Sequence, residues 1–410
     1  MLKYADRKNT NSNKWDALEG TFGTDGLLPF WIADMDFRID EHIIQAMHDY
    51  IETGAPGYYK IPDSYYQAFI DWEKNEHGLT VDRDWLRFSP GIVVGFHIAV
   101  QVLTKPGDGV MISTPVYYPF SNSIRNNDRN IVASELVNTN GHYHVDFEDF
   151  ESKIRDNNVR AFMLCSPHNP VCRVWTEDEL KTMLDICRKY DVAVIADEIH
   201  QDIVFGDNRH IPALSLSGEN DRMIMFAAAS KTFNIAALQN SFVVIRNGKL
   251  RDQWDEFMAG LRINQGNAMG YVATEAAFKY GKGWLDEVLR TIRANYDYLC
   301  ESFAENLPGV VMTPLEGTYL AWADFGACLS PEEIQPFMQD RCGLAFDYGS
   351  WFGGESSGSF IRINLATSRT NIEEMANRII QQLTEFRFKE AGGGLQDDMD
   401  EMFRFEKKMV

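Results

Sequence analysis

The sequence has no CxxC pair, and no basic run longer than a pair such as Lys407–Lys408. It also lacks any apolar stretch of the roughly 18 residues that a membrane-spanning helix needs. Without thiols at paired spacing, zinc-ribbon and thioredoxin-like chemistry fall away. Basic residues are short overall: 39 Lys and Arg stand against 60 Asp and Glu, a formal net charge of −21. A surface this negative repels a phosphate backbone and an anionic bilayer, so neither nucleic acid nor membrane is an expected partner. The first residues, Met1 to Lys8, are charged with no apolar run behind them, unlike a secretory signal. Cys165, Cys172, Cys187, Cys300, Cys328 and Cys342 read as free thiols of a reducing compartment, which predicts a cytoplasmic protein.

What remains is an ordinary globular composition spread over 410 residues, enough for two or three structural units. The first forty residues are turn-rich and carry Trp15, Phe30 and Trp31, as an arm laid over another unit would. Helical spacing appears in Ile43–Ile51, Tyr65–Trp72 and Val93–Leu103. Lys105-Pro-Gly-Asp108 ends the third helix, because proline and glycine cannot continue it. Short apolar runs follow at Gly109–Thr114, Val159–Ser166, Asp191–Asp197, Met223–Ala229 and Ser241–Arg246. Between two of them, Thr176-Glu-Asp-Glu179 is a capping box that starts a helix with Leu180, Met183, Leu184 and Cys187 on one face. Continuous apolar strands separated by helices predict an α/β unit with a mostly parallel sheet covered on both faces. After about residue 285 the pattern changes to a smaller α+β unit. It has helices over Trp284–Glu305, Pro331–Arg341 and Asn371–Phe388, and strands at Gly317–Ala323 and Phe360–Leu365. The expected divisions are an arm contributing to the small domain (1–45), a large domain (46–285), a small domain (286–390), and a glycine-linked acidic tail (391–410). Apolar residues at helical spacing make that tail a candidate docking segment for a protein partner, and it reads equally well as a frayed terminus.

Chemistry concentrates at strand ends. Lys231 follows the run Met223–Ala229, among small residues in Ala228-Ala-Ser-Lys-Thr-Phe. An ammonium there is costly to desolvate unless it is used, and a lysine of lowered pKa can form a Schiff base with an aldehyde. The plainer reading is a lysine snorkelling from a strand end. Asp197 closes another strand in Ala-Asp-Glu-Ile-His200, and ligands of open parallel sheets bind at the carboxyl ends of strands. By itself Asp197 reads equally well as a turn former, and His200 as a core histidine. Asn169, in Cys165-Ser-Pro-His-Asn-Pro170, offers an amide donor, although Asn-Pro is also plain turn chemistry. Ser89-Pro-Gly-Ile-Val93 leads into a helix whose first N–H groups suit a phosphate. Tyr117 and Tyr118 follow the strand Gly109–Thr114, where an aromatic either packs or stacks on a flat ring.

Taken in order, these segments resemble the fold-type I pyridoxal 5′-phosphate enzymes of the class I/II aminotransferase superfamily, in its cystathionine β-lyase-like C–S lyase branch. The stretches that carry the resemblance are Trp31-Ile-Ala-Asp-Met-Asp-Phe37, Lys105-Pro-Gly-Asp-Gly109, Thr114-Pro-Val-Tyr-Tyr-Pro-Phe120, Ser166-Pro-His-Asn-Pro170, Asp197-Glu-Ile-His200, Ser230-Lys-Thr-Phe-Asn-Ile-Ala236, Glu316-Gly-Thr-Tyr-Leu320 and Phe360-Ile-Arg-Ile-Asn-Leu365. The resemblance implies the aspartate aminotransferase-like fold and an amino-acid substrate. Lys231 would hold pyridoxal phosphate and move protons at the substrate Cα, and Asp197 would pair with the pyridinium nitrogen. Asn169 with His200 would bind the ring hydroxyl, and Tyr117 would stack on the ring. The Ile92 and Val93 amides with Ser230 would hold the phosphate, with Tyr58 reaching the phosphate of a neighbouring subunit in a homodimer. Arg362 would grip the α-carboxylate, with Tyr118 near the Cα. It implies a C–S β-lyase; an aminotransferase, and a cofactor-binding regulator with incidental activity, are the alternatives. Three positions depart from the family pattern. Gln239 stands where many members place a phosphate-binding Arg, and Cys172 and Ala237 replace glycines, which strains the chain if either needs a positive φ.

Overall fold

The computed structural model describes residues 2–263 and 265–390. Its larger sheet has seven strands: β1 (Leu86–Ser89), β2 (Gly109–Thr114), β3 (Asn130–Glu135), β4 (Val159–Cys165), β5 (Ala193–Asp197), β6 (Met223–Ala227) and β7 (Ser241–Val244), in the order β1-β7-β6-β5-β4-β2-β3. Strands β3, β2, β4, β5 and β6 pair in parallel; β7 runs antiparallel to both β6 and β1. The period-two alternation of a strand explains why these segments read as unbroken apolar runs. In β4, Phe162 and Leu164 enter one core, while Ala161, Met163 and Cys165 enter the core on the opposite face. Helix α1 (Ile92–Leu103) fills that second core with Phe96, Ile98, Ala99 and Leu103. Helix α2 (Glu177–Lys189) starts at the expected capping box: the Glu179 N–H donates to Thr176 Oγ1 at 3.2 Å, and the Thr176 N–H donates back to Glu179 Oε2 at 2.8 Å. Leu180, Met183, Leu184 and Cys187 are its buried face, as the spacing predicts.

The second sheet is antiparallel: β8 (Val311–Met312), β9 (Leu320–Asp324), β10 (Asp347–Tyr348) and β11 (Phe360–Asn364), in the order β8-β9-β11-β10. It accompanies two long helices, α3 (Lys282–Asn306) and α4 (Arg369–Glu390). The expected division at 285/286 falls inside α3. The helix expected over Pro331–Arg341 is α-helical only to Pro336 and widens to a π-helical turn over Phe337–Arg341. The arm joins this second unit, since Leu28–Pro29 pairs in parallel with Leu344–Ala345. The tail, residues 391–410, lies outside the described residues.

Between arm and sheets runs the strap Trp31–Phe37. Asn364 Nδ2 donates to the carbonyls of Ile32 and Asp34, each at 2.7 Å, and Asn234 Nδ2 donates to Met35 O at 3.0 Å. Lys14 and Asp36, both buried, form an ion pair of 2.7 Å behind it, and Trp15 Nε1 donates to the same carboxylate at 2.8 Å. Such a buried pair is held in register by its extra hydrogen bonds; breaking it would strand a charge.

Candidate active site

At the carboxyl ends of β4 and β5 lies a cavity of about 280 Å³, lined among others by Tyr117, Asn169, Asp197, His200, Ser230 and Lys231. The topology places them together. Asp197 is the last residue of β5, Asn169 follows β4, and Lys231 sits on a single helical turn, Ala229–Thr232, just beyond β6. The strand expected to reach Ala229 therefore ends at Ala227, and the turn lifts the lysine over the sheet edge. Lys231 Nζ donates to Ala33 O of the strap at 2.6 Å. Burial lowers its pKa to about 8, opposed by Asp34 and Asp197. Asp197 is buried, with Oδ1 accepting the Ile199 N–H at 3.2 Å, and burial raises its pKa to about 7. A carboxylate held at that cost is in position for a cationic partner.

His200 is also buried, and its Nδ1 has no hydrogen-bond partner among the described residues. Burial drives its pKa well down, so the imidazole is neutral at pH 7. Asn169 Oδ1 accepts from Arg362 Nη1 at 3.0 Å, which turns the amide's own donors the other way. On the opposite wall Gly91, at φ +94°, leads into α1 with no side chain capping it, so the first N–H groups of Ile92 and Val93 face the cavity. Gln239 lines the same cavity, and no guanidinium does among the described residues. Negative charge there would rest on amides and the helix dipole. The Tyr117 ring is half-buried against the cavity, and desolvation pushes its hydroxyl well above the usual range.

Two expected residues lie beside the cavity. Arg362 is buried in β11, and its guanidinium stands over the Phe352 ring at 5.0 Å. Tyr118 packs edge-on to the same ring, 6.1 Å between centroids. Tyr58 stands apart, fully exposed on its own chain. Sequence reasoning missed Asp347, which pairs with Arg362 across β10 and β11 and sits in no motif, and the backbone carbonyl of Ala33, whose stretch Trp31–Phe37 was noted without a role for it.

The glycine replacements resolve differently. Cys172 has φ +60°, whereas Ala237 lies in a 3₁₀ turn without a positive φ. Cys172 is buried, its thiol is 3.0 Å from Leu320 O, and burial pushes its pKa up, so it is packed and unreactive. Left-handed backbone costs a Cβ-bearing residue about 1 kcal/mol. Cys172→Gly should therefore be more stable than Cys172→Ala by about that much in denaturant melts, although alanine is nearer the native volume.

Residues 31–379 match the family described as aminotransferase class I and II. The chain belongs to that family. It is 36% identical to the cystathionine beta-lyase PatB of Bacillus subtilis over 379 residues, covering 92% of this chain and 98% of the relative. Among solved structures, cystalysin from Treponema denticola, which contains a pyridoxal 5′-phosphate cofactor, superimposes with a TM-score of 0.90 at 34% identity, covering 94% of this chain and all of that one. The pyridoxal-phosphate-bound C–S lyase from Staphylococcus hominis gives a TM-score of 0.88 at 32% identity, covering 93% and 97% of the two chains. An orphan imidazole nitrogen, a buried carboxylate, an amine of lowered pKa and free helix-start amides make a donor set that fits this cofactor's ring and phosphate.

Proposed function

We propose that the protein is a pyridoxal 5′-phosphate-dependent C–S β-lyase. It takes a sulfur-bearing amino acid of the cystathionine or cysteine type and, with water, releases a thiol, pyruvate and ammonia. The observation that carries this reading is Lys231, with its amine near pKa 8, in one cavity with Asp197 and the orphan nitrogen of His200. The relatives named as cystathionine β-lyase and C–S lyase support the choice of reaction.

When bound, the cofactor supplies an electrophilic aldehyde and a pyridinium ring that accepts the electron pair left at the substrate Cα. Lys231 would hold it and take the Cα proton on Nζ; an amine near pKa 8 is unprotonated in about one molecule in ten at pH 7 and in about half at pH 8. Asp197 keeps the ring nitrogen cationic. Asn169 and His200 would bind the ring hydroxyl, and Tyr117 would stack on the ring. The Ile92 and Val93 amides and Ser230 hold the phosphate. Arg362 receives the α-carboxylate, and Tyr118 stands next to it on the substrate side. Tyr58, exposed on its own chain, reaches the phosphate of the second subunit in a homodimer. All six thiols are unpaired, which suits a reducing cytoplasm. No described helix is long and apolar enough to cross a membrane.

The test is pyruvate release from cystathionine by the cofactor-loaded protein. Pyruvate should appear at full rate with no keto acid present. Turnover only with a keto-acid acceptor would overturn the lyase reading in favour of an aminotransferase.

A further inference from the structure

Arg362 stands beside the cavity, bonded to its lining residue Asn169, and its hydrogen bonds can be followed individually. Nη1 donates to Asn169 Oδ1 at 3.0 Å, and Nη2 donates to Trp31 O at 2.9 Å and to Asp347 Oδ2. Nε is buried with no partner among the described residues. A guanidinium grips a carboxylate bidentately along one of two edges, Nε with Nη2 or Nη1 with Nη2. Both edges need Nη2, and both of its N–H groups are taken. The bidentate grip implied for Arg362 is thus closed as the protein stands. Trp31 O is backbone, fixed in the strap. Asp347 is a side chain carrying the same functional group as the substrate's carboxylate.

Asp347 is also only half satisfied. It is 1% exposed, and its Oδ1 has no partner among the described residues. Arg362 is the cation that acts on it, and its other close ionisable neighbours are the phenols of Tyr117, Tyr118 and Tyr348. A carboxylate bound through one oxygen to one cation, with phenol hydroxyls nearby, has another place to turn. The register pairing of Asp347 with Arg362 keeps it beside the seat after it leaves.

We propose that Asp347 occupies the seat of the substrate α-carboxylate on Arg362, so that a substrate binds by displacing it. This rests on the reading that Arg362 receives that carboxylate. Asp347 is then a positioning residue that sets how strongly a carboxylate must bind to enter. It presets the guanidinium orientation, and it weakens every carboxylate ligand by the strength of its own competition. A purely structural ion pair predicts the opposite sign: losing Asp347 would loosen Arg362 and weaken ligands.

The test uses cofactor-loaded protein and 3-(methylthio)propionate, a carboxylate without the amino group and so inert toward the cofactor aldehyde. Calorimetric titration should give a dissociation constant at least ten-fold lower for Asp347→Asn than for the parent. In turnover of cystathionine, KM should fall with kcat changed much less. Asp347→Ser should show the same gain in affinity, and serves where the asparagine variant does not accumulate folded. Equal or weaker binding in the folded variant overturns the proposal. Arg362→Leu separates the underlying reading: loss of binding there upholds Arg362 as the carboxylate seat, whereas binding that survives Arg362→Leu removes that seat and the proposal with it.

Discussion

Lys231→Ala should lower pyruvate release by about ten-thousand-fold or more, the product of losing both a proton carrier and the covalent anchor of the cofactor. The visible absorption band of the bound cofactor should shift to that of the free aldehyde. The physical case rests on three features. Lys231 sits on a helical turn beyond β6, so its side chain projects over the sheet edge rather than into a core. Its amine is held by one carbonyl, Ala33 O at 2.6 Å, and by no carboxylate hydrogen bond, so little is lost structurally when it goes. Burial lowers its pKa to about 8, so the lysine costs the fold something while cationic. Alanine should therefore leave thermal stability unchanged or slightly raised while activity collapses. Added ethylamine, a base small enough for the vacated space, should restore part of the rate. Turnover within ten-fold of the parent would remove Lys231 from the chemistry.

The same features show why this part of the site was legible in sequence. Continuous apolar runs such as Ala193–Asp197 and Met223–Ala227 imply a parallel sheet, and a parallel sheet puts its ligand at the strands' carboxyl ends. Asp197, Asn169 and Lys231 follow from where the runs stop. Asp347 could not be found this way, because its importance lies in the register of β10 against β11, set by long-range packing rather than by local pattern. Edge strand β3 (Asn130–Glu135) escaped for a related reason: it is half polar, with one side unpaired in the sheet, so no continuous run marks it. Cys172 shows a third kind of gap. A non-glycine residue in family-glycine position raises the question of a positive φ, but only the backbone answers it, and it answers differently for Cys172 and Ala237.

Asp197→Asn should change sign with the cofactor. In cofactor-free protein, burial holds the Asp197 carboxyl at about 7, against an ordinary value of 3.8. A carboxyl raised on folding opposes folding when it ionises. The penalty is absent below the unfolded value, grows as pH rises from about 4 to 7, and is complete above the folded value. Removing the charge should therefore raise the melting temperature of cofactor-free protein at pH 8 and change it far less at pH 4, where the folded-state carboxyl is still protonated. The Ile199 N–H keeps its acceptor in either case, since an amide oxygen can replace Oδ1. If Asp197 faces the ring nitrogen as proposed, the same carboxylate would gain a cationic partner with cofactor bound, and that pairing would offset the desolvation penalty. There Asp197→Asn should weaken cofactor retention, lower the melting temperature below the parent's, and cut turnover about a thousand-fold, as loss of a preorganised charge at the reacting system does. Melting curves at pH 4 and pH 8, with and without pyridoxal phosphate, measure all four cases. A variant that melts below the parent at pH 8 without cofactor would mean that Asp197 holds the fold rather than waits for a cation.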